Sequence, residues 1–98
     1  MPPAEPYRLD VRPRARRQLA GTPPRALPLG VALAAVEFIS GPLQEDPYRV
    51  GKSLEDRHKG QRAARCGAAH RIRYVIDEAT HTVIVVDVSR RADTYGTD

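Results

Sequence analysis

Between Val50 and Arg73, seven basic residues (Lys52, Arg57, Lys59, Arg62, Arg65, Arg71, Arg73) meet two acidic ones, Glu55 and Asp56. Arginine outnumbers lysine 14 to 2 over the chain. Most of the positive charge therefore sits on planar guanidinium groups, which match phosphate oxygens two at a time. The bland reading is a solvated surface; the sharper one is a phosphate-binding face. Arg71 and Arg73 lie two apart in a segment of strand character, so they share a face at a spacing of about 7 Å and can reach one phosphodiester segment. Arg62 and Arg65 lie three apart and fall on opposite strand faces, and Arg65 is the one expected to join Arg71.

Other reactive groups are sparse. His58, His70 and His81 are scattered, and the single Cys66 excludes an internal disulfide. No spacing suits a metal, so no metal or cofactor is expected. His70 has the side-chain type for acid–base work, but its place in the strand alternation points it towards the helices. Arg65 beside Cys66 would favour the thiolate; with no base at hand, Cys66 reads as a structural thiol. Tyr74 reads as a core residue with its hydroxyl at an edge.

The elements that must position these groups follow from periodicity. Tyr7–Val11 alternates as a short half-buried strand. Pro13 suits a first helical position, Ala15 and Leu19 share one helical face, and Gly21 ends that helix. Pro28 defers the second helix to Leu29–Ser40, where Leu29, Ala32, Leu33, Val36 and Ile39, broadened by Phe38, form the stripe expected to face the core. Gly41-Pro42 should terminate it. Residues 43–60 read as a long connection with one helical turn. Three strands follow, at 61–66, 69–77 and 82–89, with a hairpin loop at 77–81. The order β-α-α-β-β-β predicts an α+β domain, a small antiparallel-rich sheet with two sequential helices on one face. His70, Ile72, Tyr74 and Ile76 should meet the helices; Arg71, Arg73 and Val75 should stay open.

A length of 98 residues and a net charge of +4 predict one domain spanning residues 1–98, with 1–6 and 96–98 flexible. No apolar run approaches a membrane span and the N-terminus has no signal-like apolar segment, so a cytoplasmic protein is expected.

The ordered set of Gly-Pro-Leu (41–43), Asp-Pro-Tyr-Arg-Val-Gly-Lys-Ser-Leu (46–54), Gly60, Arg65, His-Arg-Ile-Arg-Tyr (70–74) and Arg-Arg-Ala-Asp-Thr-Tyr (90–95) resembles the RelE/ParE-type toxins of bacterial toxin–antitoxin systems. The resemblance runs from about Tyr7 to Tyr95. It implies the microbial-RNase-like fold and a RelE-like endoribonuclease that cleaves translated mRNA on the ribosome. It also implies a cognate antitoxin, RelB-like or other, that binds the toxin in a hetero-oligomer. Carried over by position, Arg71, Arg91, Tyr95 and Arg65 would serve catalysis, and Arg62, Arg73, Arg90 and Lys52 would bind RNA. Two alternatives share the fold: a ParE-like inhibitor of DNA gyrase, and a degenerate toxin that only binds its antitoxin. RNA cleavage by the 2′-hydroxyl gathers negative charge on phosphate oxygens, and fixed guanidinium groups stabilise that charge without reorganising.

Overall fold

The computed structural model of the chain describes residues 5–55 and 59–90. Strand β1 (Arg8–Val11) leads into helix α1 (Pro13–Leu19) and then helix α2 (Leu29–Phe38). A two-residue strand β2 (Lys52–Ser53) precedes β3 (Arg62–Cys66), β4 (His70–Asp77) and β5 (Thr82–Arg90). The five strands form one sheet in the order β1-β5-β4-β3-β2, antiparallel except for the parallel β1–β5 pair. The expected α+β architecture is present with one strand more than the sequence suggested. Two residues carry no readable alternation, so β2 was legible only as part of a connection.

Local chemistry accounts for the boundaries. Pro13 occupies the first turn of α1, where its missing N–H is no loss. Gly21 follows at φ 78°, a left-handed conformation that closes the helix without a Cβ penalty. Gly41-Pro42 does not stop α2. The chain instead widens into a π-helical turn over Ile39–Leu43 with Pro42 inside it, which accommodates a residue that cannot donate.

The core lies between the helices and one sheet face, around Ala15, Ala35, Ile39, Leu43, Ile72, Tyr74, Val83 and Val85. The expected alternation on β4 holds for Ile72 and Tyr74, both fully buried. An irregularity between Arg73 and Tyr74 opposes Asp87 to Arg73 and Val85 to Tyr74, leaving Val86 between them. Val85 and Val88 therefore both reach the core while Asp87 pairs with Arg73. The α2 expectation needs correction. Ala32, Ala35 and Ile39 face inward, whereas Leu29, Leu33 and Val36 are 75%, 58% and 49% exposed. A helix apolar nearly all round does not encode which side packs, and the alanine side permits the closer approach to the sheet.

Candidate nucleic-acid interface

The open end of the sheet carries a basic cleft of about 350 Å³ lined by Arg49, Lys52, Ala63, Arg65 and Arg71 with the Val50-Gly51 backbone. Pairing builds it. Arg65 and Arg71 are direct cross-strand partners, and Lys52 pairs with Ala63, two residues along β3 from Arg65. Like charges set opposite each other destabilise a strand pair, and among the described residues no acidic one lines the cleft. Arg65 is exposed, while Arg71 is only 5% exposed and donates to the His70 carbonyl at 3.1 Å. The sequence placed Arg71 on an open surface; the structure seats it as the buried member of the pair.

The turn opposite the sheet is held close. The hydroxyl of buried Tyr74 donates to the Pro47 carbonyl at 2.6 Å. Burial pushes the Tyr74 hydroxyl pKa up, with the Arg62 charge opposing that rise. A Cβ on Gly51 would lie 2.3 Å from that hydroxyl and 2.8 Å from the Ala63 carbonyl, so only glycine fits.

Arg62 does not share the cleft. Its guanidinium donates to the carbonyls of Tyr48 at 2.7 Å and Gly51 at 2.9 Å and to Ser53 Oγ at 3.1 Å. It also lies 5.5 Å from the Tyr48 ring centroid, and its Nε is buried without a hydrogen bond. The expected split between Arg62 and Arg65 is present, and Arg62 serves the turn. Arg73 was expected on the open face ready for RNA. It is half-buried and forms a two-point pair with Asp87, through Nε to Oδ1 at 2.7 Å and Nη2 to Oδ2. Burial opposes ionisation of Asp87, but the hydrogen bonds and charge of Arg73, with Ser89 and Arg14, outweigh it and hold its pKa below the usual carboxylate range.

Lys52 lines the cleft, and Arg90 ends β5 opposite His70. His70 and Arg90 line a separate hollow beside Leu27 and Val88. Arg91 and Tyr95 lie outside the described residues. Burial pushes the Cys66 thiol pKa up, contrary to the activation expected from Arg65, which is exposed while the thiol faces the core. Among the described residues no group of His, Cys, Asp and Glu could hold a metal, and no helix is long and apolar enough to cross a membrane. Arg49 is the cleft residue that sequence reasoning passed over. Its signal was its place in 46–54, two residues before the glycine that brings this turn against the sheet.

The toxin RelG of Mycobacterium tuberculosis is 41% identical over 90 residues, covering 92% of this chain and 97% of RelG. The toxin RelE of the same organism is 37% identical over 90 residues, covering 92% of this chain and 87% of that protein. The chain belongs to the RelE toxin family. No protein-family model matches it. The crystal structure of a RelB–RelE toxin–antitoxin complex from M. tuberculosis superposes with a TM-score of 0.75 at 37% identity, over 88% of this chain and 99% of that one. A double arginine-to-alanine mutant of Escherichia coli RelE in the free state shares the fold with a TM-score of 0.68 at 17% identity, over 93% of this chain and 92% of that one. The curated relatives of this RelE-family protein are toxins, and the mycobacterial structure shows such a toxin with its antitoxin.

Proposed function

We propose that this RelE-family toxin is a ribosome-dependent endoribonuclease that cleaves translated mRNA in the cytoplasm and so inhibits translation. The observation that carries the reading is the Arg65–Arg71 cross-strand pair in a cleft with Arg49 and Lys52 and, among the described residues, no lining carboxylate. A phosphodiester in transit to its cyclic product gains negative charge, and guanidinium groups set on neighbouring strands can stabilise that charge from two sides. Arg71, fixed by burial, stabilises the developing charge. Exposed Arg65 completes the clamp, and Lys52 and Arg49 hold flanking phosphate. Arg91 stabilises phosphate charge and Tyr95 orients a base or a proton. Among the described residues the cleft offers no carboxylate or imidazole as general base, which fits a site completed by the ribosome.

The regulatory partner is a RelB-like antitoxin. The homologous mycobacterial structure is a toxin–antitoxin complex. On this chain, exposed Leu29, Leu33 and Val36 recur at the spacing of one helical face and offer an apolar stripe to an amphipathic segment.

Primer extension on an mRNA in cell-free translation tests the nuclease. New 5′ ends are expected only when ribosomes translate, and Arg71→Ala should lower their yield about 10²–10³-fold, as for loss of one oxyanion donor. Folded protein that gives no new ends would overturn the reading.

A further inference from the structure

We propose that the RNA strand held in the cleft continues across the sheet onto α1, where Arg17 and Arg25 bind its backbone. The proposal rests on the cleft being the RNA site. Five arginines, at 12, 14, 16, 17 and 25, crowd α1 and the segments that flank it. Arg12 pairs with Asp10 at 3.3 Å, Arg14 reaches Asp87 at 3.7 Å, and Arg16 donates to the Val11 carbonyl at 3.0 Å. Arg17 and Arg25 are exposed and form no ion pair among the described residues. With Arg14 they line a hollow of about 280 Å³, whose remaining wall is Gln18, Thr22 and the Pro23-Pro24 step.

This hollow and the cleft are ends of one basic path. Arg65 and Arg71 occupy β3 and β4, Arg73 pairs with Asp87 on β5, and Arg14 joins the same carboxylate from α1. Asp87 therefore meets two arginines and places no net negative barrier on the route. Two strand spacings and one helix-packing distance make the path on the order of 20 Å long, a length for several nucleotides. A basic face can also receive an acidic protein. Among the described residues, however, the hollow lacks the large apolar or aromatic side chains that form the centre of a protein interface, whereas arginines with a hydroxyl and an amide suit a phosphate backbone.

The test uses Arg17→Ala/Arg25→Ala and 2′-O-methyl RNA, which the 2′-hydroxyl reaction cannot cleave. Binding of a fluorescein-labelled trinucleotide and of a longer single strand is followed by anisotropy over a salt series, with the melting temperature as a check of folding. The double variant should bind the longer strand more weakly, with a slope of log K against log salt reduced by about 1 per lost arginine. Its trinucleotide binding should not change. Unaltered affinity and slope for the longer strand would overturn the proposal, as would weakening confined to the antitoxin or to vacant ribosomes. Arg65→Ala runs in parallel. If it weakens both RNAs while the double variant weakens neither, the cleft reading stands and the extension onto α1 fails. If it too weakens neither, the cleft reading itself fails and takes the extension with it.

Discussion

Gln18 of α1 binds the backbone of Val88 at both ends: its amide donates to the Val88 carbonyl at 2.6 Å and its carbonyl accepts from the Val88 N–H at 2.9 Å. Strand β1 stops pairing with β5 at Val11–Val85, where Arg12 N–H still reaches the Val85 carbonyl at 3.0 Å. One helical side chain thus continues the edge that the missing strand would have covered. Both partners are buried, so water cannot replace either bond. Gln18→Leu should lower unfolding free energy by about 1–3 kcal/mol for each group left unpaired. Urea unfolding measures it, and Gln18→Glu should not restore it because a carboxylate cannot donate to the Val88 carbonyl.

The Asp87–Arg73 pair sets an acid limit on stability. Asp87 has a folded pKa below its ordinary 3.8 because Arg73, Ser89 and Arg14 overcome the burial that opposes ionisation. A group with a depressed folded pKa contributes fully above its unfolded value and loses that contribution as pH falls through the folded one. The melting temperature should therefore fall below about pH 4, and Asp87→Asn should flatten that fall. At neutral pH Asp87→Ala should cost roughly 3–5 kcal/mol, since Arg73 would be left half-buried without its carboxylate.

Much of this architecture was legible because alternation and turn residues encode it directly. Ile72 and Tyr74 announced the core face of β4, and Pro13 and Gly21 marked the ends of α1. What the sequence withheld depended on partners distant along the chain. Arg73 looked open until Asp87, brought opposite it beside the β5 irregularity, claimed its guanidinium. Arg62 looked like a phosphate ligand because nothing local shows that it meets the carbonyls of 48 and 51. α2 hid its orientation because both its faces are apolar. Gln18 had no sequence signal at all; a glutamine on a short helix is ordinarily solvated.

Gly51 tests how tightly the turn is set against the sheet. Gly51→Ala drives a methyl into the Tyr74 hydroxyl and the Ala63 carbonyl. Overpacking of this kind should cost about 1–3 kcal/mol. Tyr74→Phe in the same chain should recover only part of the loss, because the Ala63 carbonyl still blocks the site and the Pro47 carbonyl loses its donor. Chemical denaturation of the single and double variants measures the coupling.

Arg62 and Arg49 should separate positioning from contact. Arg62 holds the carbonyls on either side of Arg49 and Val50, and lies outside the cleft. Arg62→Ala should loosen the turn, lower thermal stability and weaken RNA binding together. Arg62→Lys should restore part of each, since an ammonium can still reach one carbonyl. Arg49 is exposed at the cleft wall, and its backbone N–H, not its guanidinium, ties the turn to the Asp46 carbonyl at 3.2 Å. Arg49→Ala should leave the melting temperature unchanged, raise KM with little effect on kcat, and reduce the salt slope of RNA binding by about 1. A fall in kcat at constant KM would instead assign Arg49 to the transition state, placing the reacting phosphate on the turn side of the cleft.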